Sequence, residues 1–272
     1  EMCIRDSTHS VRRIEPNMAG VVSSLRNSRV AAARKLQRTR VRRQTGRTTI
    51  EGPFLLEEAT RSGCVVQEVF CLADDRATLE LCTAHGIDVI VVEANVINGL
   101  ADTIQPRGPV AVIGIPEAGS IQRVDSIVLW GVGDPGNAGT IIRTAAAFGF
   151  QVLATVDCVD LWAPKVIRSG VGAHFRAVPI EGVPPDPELL ISSGLRLVVT
   201  AADGEAPLGE AVVGDDAVAL IVGNEAQGVP VAVRQHPAVA TAAIPMPGGT
   251  ESLNAAVTAG IAMYERMRAS AR

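Results

Sequence analysis

Aromatic side chains are scarce in this chain of 272 residues: they make up 3% of it, with one Tyr and two Trp. Whatever core it builds is therefore aliphatic. Cysteine is also sparse and unpatterned. Cys3, Cys64, Cys71, Cys82 and Cys158 are odd in number and form no Cys-x-x-Cys pair, which argues against a disulfide framework and a zinc site and leaves ordinary buried thiols. His9, His85, His174 and His236 show no metal-ligand spacing, so no metal is expected. His174, in Gly170-Val-Gly-Ala-His-Phe175, is alone on its segment and is assigned no role. No apolar run reaches the roughly 20 residues of a membrane span, and the first residues carry no apolar signal-peptide core. A cytoplasmic protein that does not enter membranes is the expectation. The segment from Asp134 to Arg143 matches neither Gly-x-Gly-x-x-Gly nor a P-loop, which counts against a dinucleotide enzyme or an ATPase.

What is present is an apolar content of 47%, enough for a sizeable core, and length enough for two domains. The net charge of −4 hides an asymmetry. Residues 1–50 hold 12 Lys and Arg against 3 Asp and Glu, and the remainder holds 13 against 26. A basic arm on an acidic body points to a polyanion, most simply nucleic acid; a solvated helix of long side chains is the blander reading.

Residues 1–16 have neither periodicity nor a clear cap and read as disordered or artefactual. Residues 17–46 read as a basic helical arm, with Ser28 capping one helix that ends near Gly46. Residues 47–115 alternate strands (48–51, 65–72, 87–92, 110–115) with helices (53–61, 76–85), a small α/β domain. Residues 116–125, with Pro, Gly and Ser, read as a linker. From 126 to 272 a second α/β domain is expected. Its strands fall at 126–132, 151–156, 195–200, 217–223 and 240–245, and its helices at 138–149, 162–169, 186–193 and 252–268. Strands separated by helices predict a mostly parallel sheet covered on both faces.

Three segments of the second domain could carry chemistry. In Asp134-Pro-Gly-Asn-Ala-Gly-Thr-Ile-Ile-Arg143 a strand feeds a helix whose free N–H groups suit an anion, with Asn137 as a candidate cap. A capped helix with a surface arginine would look the same. In Gly223-Asn-Glu-Ala-Gln-Gly228 two glycines allow positive φ and close backbone approach, although a simple turn would too. In Ile244-Pro-Met-Pro-Gly-Gly-Thr-Glu-Ser-Leu-Asn254 a glycine loop opens a helix that Ser252 could cap. Two polar loops at neighbouring strand ends make a pocket from backbone groups, suited to a neutral or zwitterionic cofactor with an adenine-like part. Asp203, in Ala201-Ala-Asp-Gly204, reads as a turn residue.

These segments, in this order, resemble the three motifs of the SpoU (TrmH-like) family of RNA ribose methyltransferases. Asn137-Ala-Gly-Thr-Ile-Ile-Arg143 is similar to the first, Leu220-Ile-Val-Gly-Asn-Glu-Ala-Gln-Gly228 to the second, and Ile244-Pro-Met246 with Ser252-Leu-Asn254 to the third. The match covers about 126–268. Val41-Arg-Arg-Gln-Thr-Gly-Arg47 and Ile50-Glu-Gly-Pro-Phe-Leu-Leu-Glu-Glu-Ala59 look like the L30e-like substrate-binding domain that many members carry. The resemblance implies an α/β fold of two domains: an L30e-like N-terminal domain and a parallel-sheet methyltransferase domain with a C-terminal trefoil knot. It implies S-adenosylmethionine as cofactor, a homodimer, and RNA as substrate, rRNA ahead of tRNA. On its motifs, Asn137, Arg143, Glu225, Ser252 and Asn254 fall at catalytic positions. Thr200, Ala201, Leu220 and Gly223, with Ile244, Met246, Ser252 and Leu253, fall at cofactor positions. Arginine is almost always charged, so phosphate anchoring and stabilisation of a developing alkoxide suit Arg143 better than a base role. The rival readings are a non-catalytic RNA-binding or ribosome-assembly protein on the same fold, a tRNA 2′-O-methyltransferase, and a generic nucleotide-binding α/β enzyme.

Overall fold

Two sheets organise the chain. The computed structural model describes residues 20–270, 104 and 107 apart. The readings on residues 1–16, Cys3 and His9 lie outside the described residues. The first unit runs α1 (Ser28–Lys35), α2 (Thr39–Thr45), β1 (Arg47–Glu51), α3 (Pro53–Arg61), β2 (Val66–Cys71), α4 (Arg76–His85), β3 (Val89–Val91), α5 (Ala94–Leu100) and β4 (Val110–Gly114). Its sheet has the order β1-β4-β2-β3, with β4 antiparallel to β1 and β2, and β2 parallel to β3. The expected single basic helix is two helices, and Asn27 rather than Ser28 caps the first. The arm is not loose. Val30, Ala33 and Leu36 recur every third residue and bury against Phe70 and Ile90, so α1 covers one face of the sheet.

The second unit continues with β5 (Ser126–Trp130), α6 (Pro135–Phe148), β6 (Gln151–Thr155), α7 (Pro164–Ser169), β7 (Ile180–Val183), α8 (Pro187–Ser192), β8 (Arg196–Thr200), β9 (Ala206–Pro207), α9 (Leu208–Ala211), β10 (Val218–Gly223), α10 (Val231–Arg234), β11 (Val239–Ala243) and α11 (Ala255–Ser270). Its sheet, in the order β7-β6-β5-β10-β8-β11-β9, is parallel throughout. All its strands therefore end on one edge, where ligands of such sheets bind. Burial follows the two-residue period of a strand. Ile127 and Leu129 face α6 and α11, whereas Val128 and Trp130 face the side of α8 and α10.

The domains interlock. Ile50 and Leu55 share a cluster with Trp162, Ile167 and Phe175, and the Thr48 hydroxyl donates to the Trp162 carbonyl at 2.7 Å. The buried Arg42 guanidinium meets Asp160 at 2.5 Å and donates to the Leu36 carbonyl at 2.6 Å. The far end of α11 is pinned by buried Arg266, which pairs with Asp125 at 2.8 Å and donates to the carbonyls of Val212, Gly214 and Asp216. Ala256, Ala259 and Ala262, which invite close helix approach, bury in this domain's own core beside α6. The outward apolar residues of α11 are instead Val257 and Tyr264, exposed by 51% and 46%. Among the described residues, no helix is long and apolar enough to cross a membrane.

Candidate active site

A cavity of about 680 Å³ opens at the ends of β8, β10 and β11. Three loops build its wall. Thr200 to Asp203 follow β8, Val222 to Val229 follow β10, and Ile244, Met246 and Glu251 to Asn254 follow β11. Its volume lies within the roughly 300–1,000 Å³ of small-molecule sites.

The loop after β10 folds back on itself. A Cβ on Gly223 would stand 2.3 Å from the Gly228 carbonyl carbon and 2.5 Å from the Val229 nitrogen, so glycine is the residue that permits this approach. Asn224 builds the turn. Its Oδ1 accepts from the Ala226 and Gln227 N–H groups at 3.0 and 3.1 Å, and its Nδ2 donates to the Gly131 carbonyl at 2.8 Å.

A chain of directed hydrogen bonds joins this loop to the other two motif segments. The Glu225 carboxylate accepts from the N–H groups of Gly133 and Asp134, each at 3.1 Å, and from Asn137 Nδ2 at 2.9 Å. With its amide NH₂ committed to Glu225, Asn137 turns its Oδ1 to Asn254 Nδ2 at 2.9 Å. Asn254 Oδ1 in turn accepts from the N–H groups of Ala256 and Val257 at the start of α11. Each amide has one orientation that satisfies the whole chain. Burial pushes the Glu225 pKa up, but hydrogen bonds from Asn137, Gly133 and Asp134 outweigh it and leave the carboxyl below its ordinary range.

Two cap assignments change. Asp134, not Asn137, caps α6, accepting from the Asn137 N–H at 2.8 Å, because Pro135 already occupies the first turn. Asn254, not Ser252, caps α11; Ser252 lines the cavity.

Of the expected cofactor residues, Thr200, Ala201, Gly223, Ile244, Met246, Ser252 and Leu253 meet at the cavity wall. Leu220 does not. It lies mid-strand in β10, fully buried in the core, so it supports the wall from behind. Asn137, Glu225 and Asn254 are brought together. Arg143 stands apart: six residues beyond Asn137 it is about 9 Å further along α6 and on another face. It is exposed and makes no hydrogen bond among the described residues. Sequence reasoning missed two wall residues, Asp203 and Arg234, which pair at 2.7 Å. The hydrogen bond from Arg234 holds the Asp203 carboxyl below its ordinary range. The turn signal at Asp203 placed it at a strand end, but its partner lies 31 residues away.

Residues 126–264 match the model of the SpoU rRNA Methylase family, and residues 27–111 match that of the MRM3-like substrate binding domain. The chain is 32% identical over 246 residues to the 23S rRNA (guanosine(2553)-2′-O)-methyltransferase of Bacillus subtilis, covering 89% of this chain and 97% of that protein. Among solved structures, the SpoU methyltransferase AviRb from Streptomyces viridochromogenes in complex with AdoMet superposes with a TM-score of 0.80 at 25% identity, covering 90% of this chain and 99% of that one. The AdoMet-bound rRNA methyltransferase from Sinorhizobium meliloti gives 0.78 at 28% identity, covering 92% and 97%.

Proposed function

The chain belongs to the SpoU rRNA methylase family, and we propose that it transfers a methyl group from S-adenosylmethionine to a ribose 2′-hydroxyl of ribosomal RNA. The observation that carries this reading is the cavity of about 680 Å³ whose two main loops are locked to the start of α6 through Glu225, Asn137 and Asn254.

The residues present fit the cofactor. Ile244, Leu253, Val222 and Ala242 give the cavity an apolar side, and the loop from Gly223 to Gly228 lines it beside them. When bound, S-adenosylmethionine supplies an electrophilic sulfonium methyl group. The protein's work is then placement of the acceptor oxygen and stabilisation of its developing charge. Thr200, Ala201, Gly223, Ile244, Met246, Ser252 and Leu253 hold the cofactor, mostly by backbone groups. Asn137, Glu225 and Asn254 are positioning residues, since their polar atoms are spent on one another and on helix and loop N–H groups.

Arg143 is assigned to the RNA, as phosphate anchor and electrostatic partner of the 2′-oxygen. Its distance from its own cavity fits a homodimer in which a second copy closes the site. Val257 and Tyr264, exposed on the outward side of α11, supply an apolar surface for that copy. The reading carries the family's trefoil knot with it. Gly204, whose Cβ would stand 2.3 Å from the Ala242 carbonyl carbon, and Gly223 supply the close backbone approaches that a threaded chain needs. Residues 47–115 serve as the RNA-holding domain, and a ribosomal substrate agrees with cytoplasmic action.

The test is incubation with methyl-labelled S-adenosylmethionine and ribosomal RNA, followed by digestion to nucleosides. Label on ribose supports the reading. Cofactor binding with no transfer to RNA would favour a non-catalytic RNA-binding protein.

A further inference from the structure

A second, smaller cavity of about 180 Å³ lies between the two domains, lined by Arg43 of α2, by Ala154, Thr155, Val156, Cys158 and Val159 at the end of β6, and by Glu181 and Gly182 of β7. It opens on the same strand-end edge as the cofactor cavity. The two are linked through Gly131: a Cβ there would stand 2.9 Å from Asp157 Oδ2 on one side and 3.8 Å from Asn224 Cβ on the other. Asp157 bonds to the Thr155 hydroxyl of the small cavity, and Asn224 lines the large one. A strand of RNA whose ribose lies at the cofactor cavity thus has a neighbouring recess along the sheet edge.

Resting on the RNA-methyltransferase reading, we infer that this recess is an RNA subsite that receives one unstacked nucleobase flanking the methylated nucleotide, with Glu181 accepting an N–H of that base and Arg43 binding its phosphate. The chemistry of the two charged groups assigns base and phosphate to these places. Glu181 is exposed on edge strand β7, and one of its carboxylate oxygens accepts the Leu161 N–H at 2.9 Å. The other oxygen is left for a donor. A carboxylate there repels a phosphodiester but matches the N–H edge that every base presents once unstacked. Burial and neighbouring Asp160 raise the Glu181 pKa, against the pull of Arg43 and Arg42, so a donor N–H would stabilise its charged form. The remaining wall, Ala154, Thr155, Cys158 and Val159, is uncharged, and burial raises the Cys158 pKa and keeps its thiol neutral.

Arg43 is exposed and makes no hydrogen bond among the described residues. Its neighbour is committed: Arg42 is buried on Asp160, Leu36 and Thr39. That interlock fixes α2 against the second domain and holds Arg43 over the recess. The volume suits a single planar heterocycle, and RNA recognition commonly reads bases splayed out in this way.

The experiment uses the full chain, saturating S-adenosylmethionine and unmodified 23S ribosomal RNA made by transcription. Arg43→Ala, Glu181→Gln and Val156→Trp, which fills the recess from an exposed position, are compared with wild type. Arg43→Ala and Val156→Trp should each raise KM for RNA about tenfold, the worth of one base or phosphate contact. They should leave kcat at saturating RNA and the cofactor Kd within about twofold. Arg43→Ala should also lower the salt slope of RNA binding by about one, and Glu181→Gln should raise KM without changing that slope. Wild-type KM in Arg43→Ala, on an exposed side chain that folding does not need, overturns the subsite while the methyltransferase reading stands. A wild-type protein that transfers no methyl group to this RNA overturns the function and the subsite together.

Discussion

At the scale of single residues, the site depends on the directed chain from Glu225 through Asn137 to Asn254. Glu225→Gln keeps one acceptor oxygen but loses the charge that three donors share. Exposure of Glu225 screens the effect, so the expected cost is about 1 kcal/mol, or roughly fivefold in cofactor Kd. Calorimetric titration giving wild-type affinity would show that the chain does not order the loop. Because the Glu225 pKa lies below its ordinary 4.5, its contribution is complete above that pH and is lost as pH falls through the folded value. His174 behaves differently. It is fully buried, neither ring nitrogen has a hydrogen-bond partner, and its ring packs 5.5 Å from that of Trp162. Burial pushes its pKa down from 6.5 to about 4, so between those values the unfolded chain binds the extra proton. Stability should therefore fall as pH drops from 6.5 to 4, by roughly 3 kcal/mol. In His174→Phe, denaturant melts across that window should show a flatter loss. An unchanged slope would assign it to other groups.

At the scale of elements, α2 shows how one short basic segment divides its labour. Arg42 is an internal tie to Asp160, whereas Arg38, Arg40 and Arg43 face solvent. Arg42→Ala leaves a nearly buried carboxylate unpaired and should cost about 3–5 kcal/mol in urea melts. Arg38→Gln should leave stability within about 0.5 kcal/mol while flattening the salt dependence of RNA binding. Equal stability of the two variants would contradict the interlock. Charge alone could not separate these arginines, since burial is a tertiary outcome. Much else was legible: α3 and α4 fall on 53–61 and 76–85, the spans the sequence predicts as helical. Missed were α5, a seven-residue helix carrying Gly99, the two- to four-residue elements β9, α9 and α10, and β7, an edge strand whose Gly182 at φ +75° and two exposed residues break the apolar run. Two loops of the large cavity, after β10 and β11, were readable because a polar, glycine-containing run follows a strand signal in each. Asp203 with Arg234 was not, because they meet only when the loop after β8 closes on α10. The sequence offers the small-residue face of α11 at Ala255, Ala256, Ala259 and Ala262 as a dimer surface, but Ala256, Ala259 and Ala262 pack in the domain's own core, because a small-residue stripe does not say whether it faces its own core or a second chain.

At the scale of the whole molecule, an N-terminal domain docked through Arg42, Thr48 and Trp162 presents surface arginines beside the strand-end edge where the loops of the large cavity gather. The proposed function divides two duties: the loops after β8, β10 and β11, which line the large cavity, would hold the cofactor, and Arg143, on α6 and outside that cavity, would serve the RNA. Single-turnover methylation and calorimetric cofactor titration on one preparation of Arg143→Ala test this most directly. Methyl transfer to ribose should fall by about 10²–10³, the usual loss for one transition-state contact, while cofactor Kd stays within about threefold of wild type. Arg143→Lys should recover little, because an ammonium lacks the two-pronged fork. Loss of cofactor binding in Arg143→Ala, or full activity in the same variant, would contradict the account.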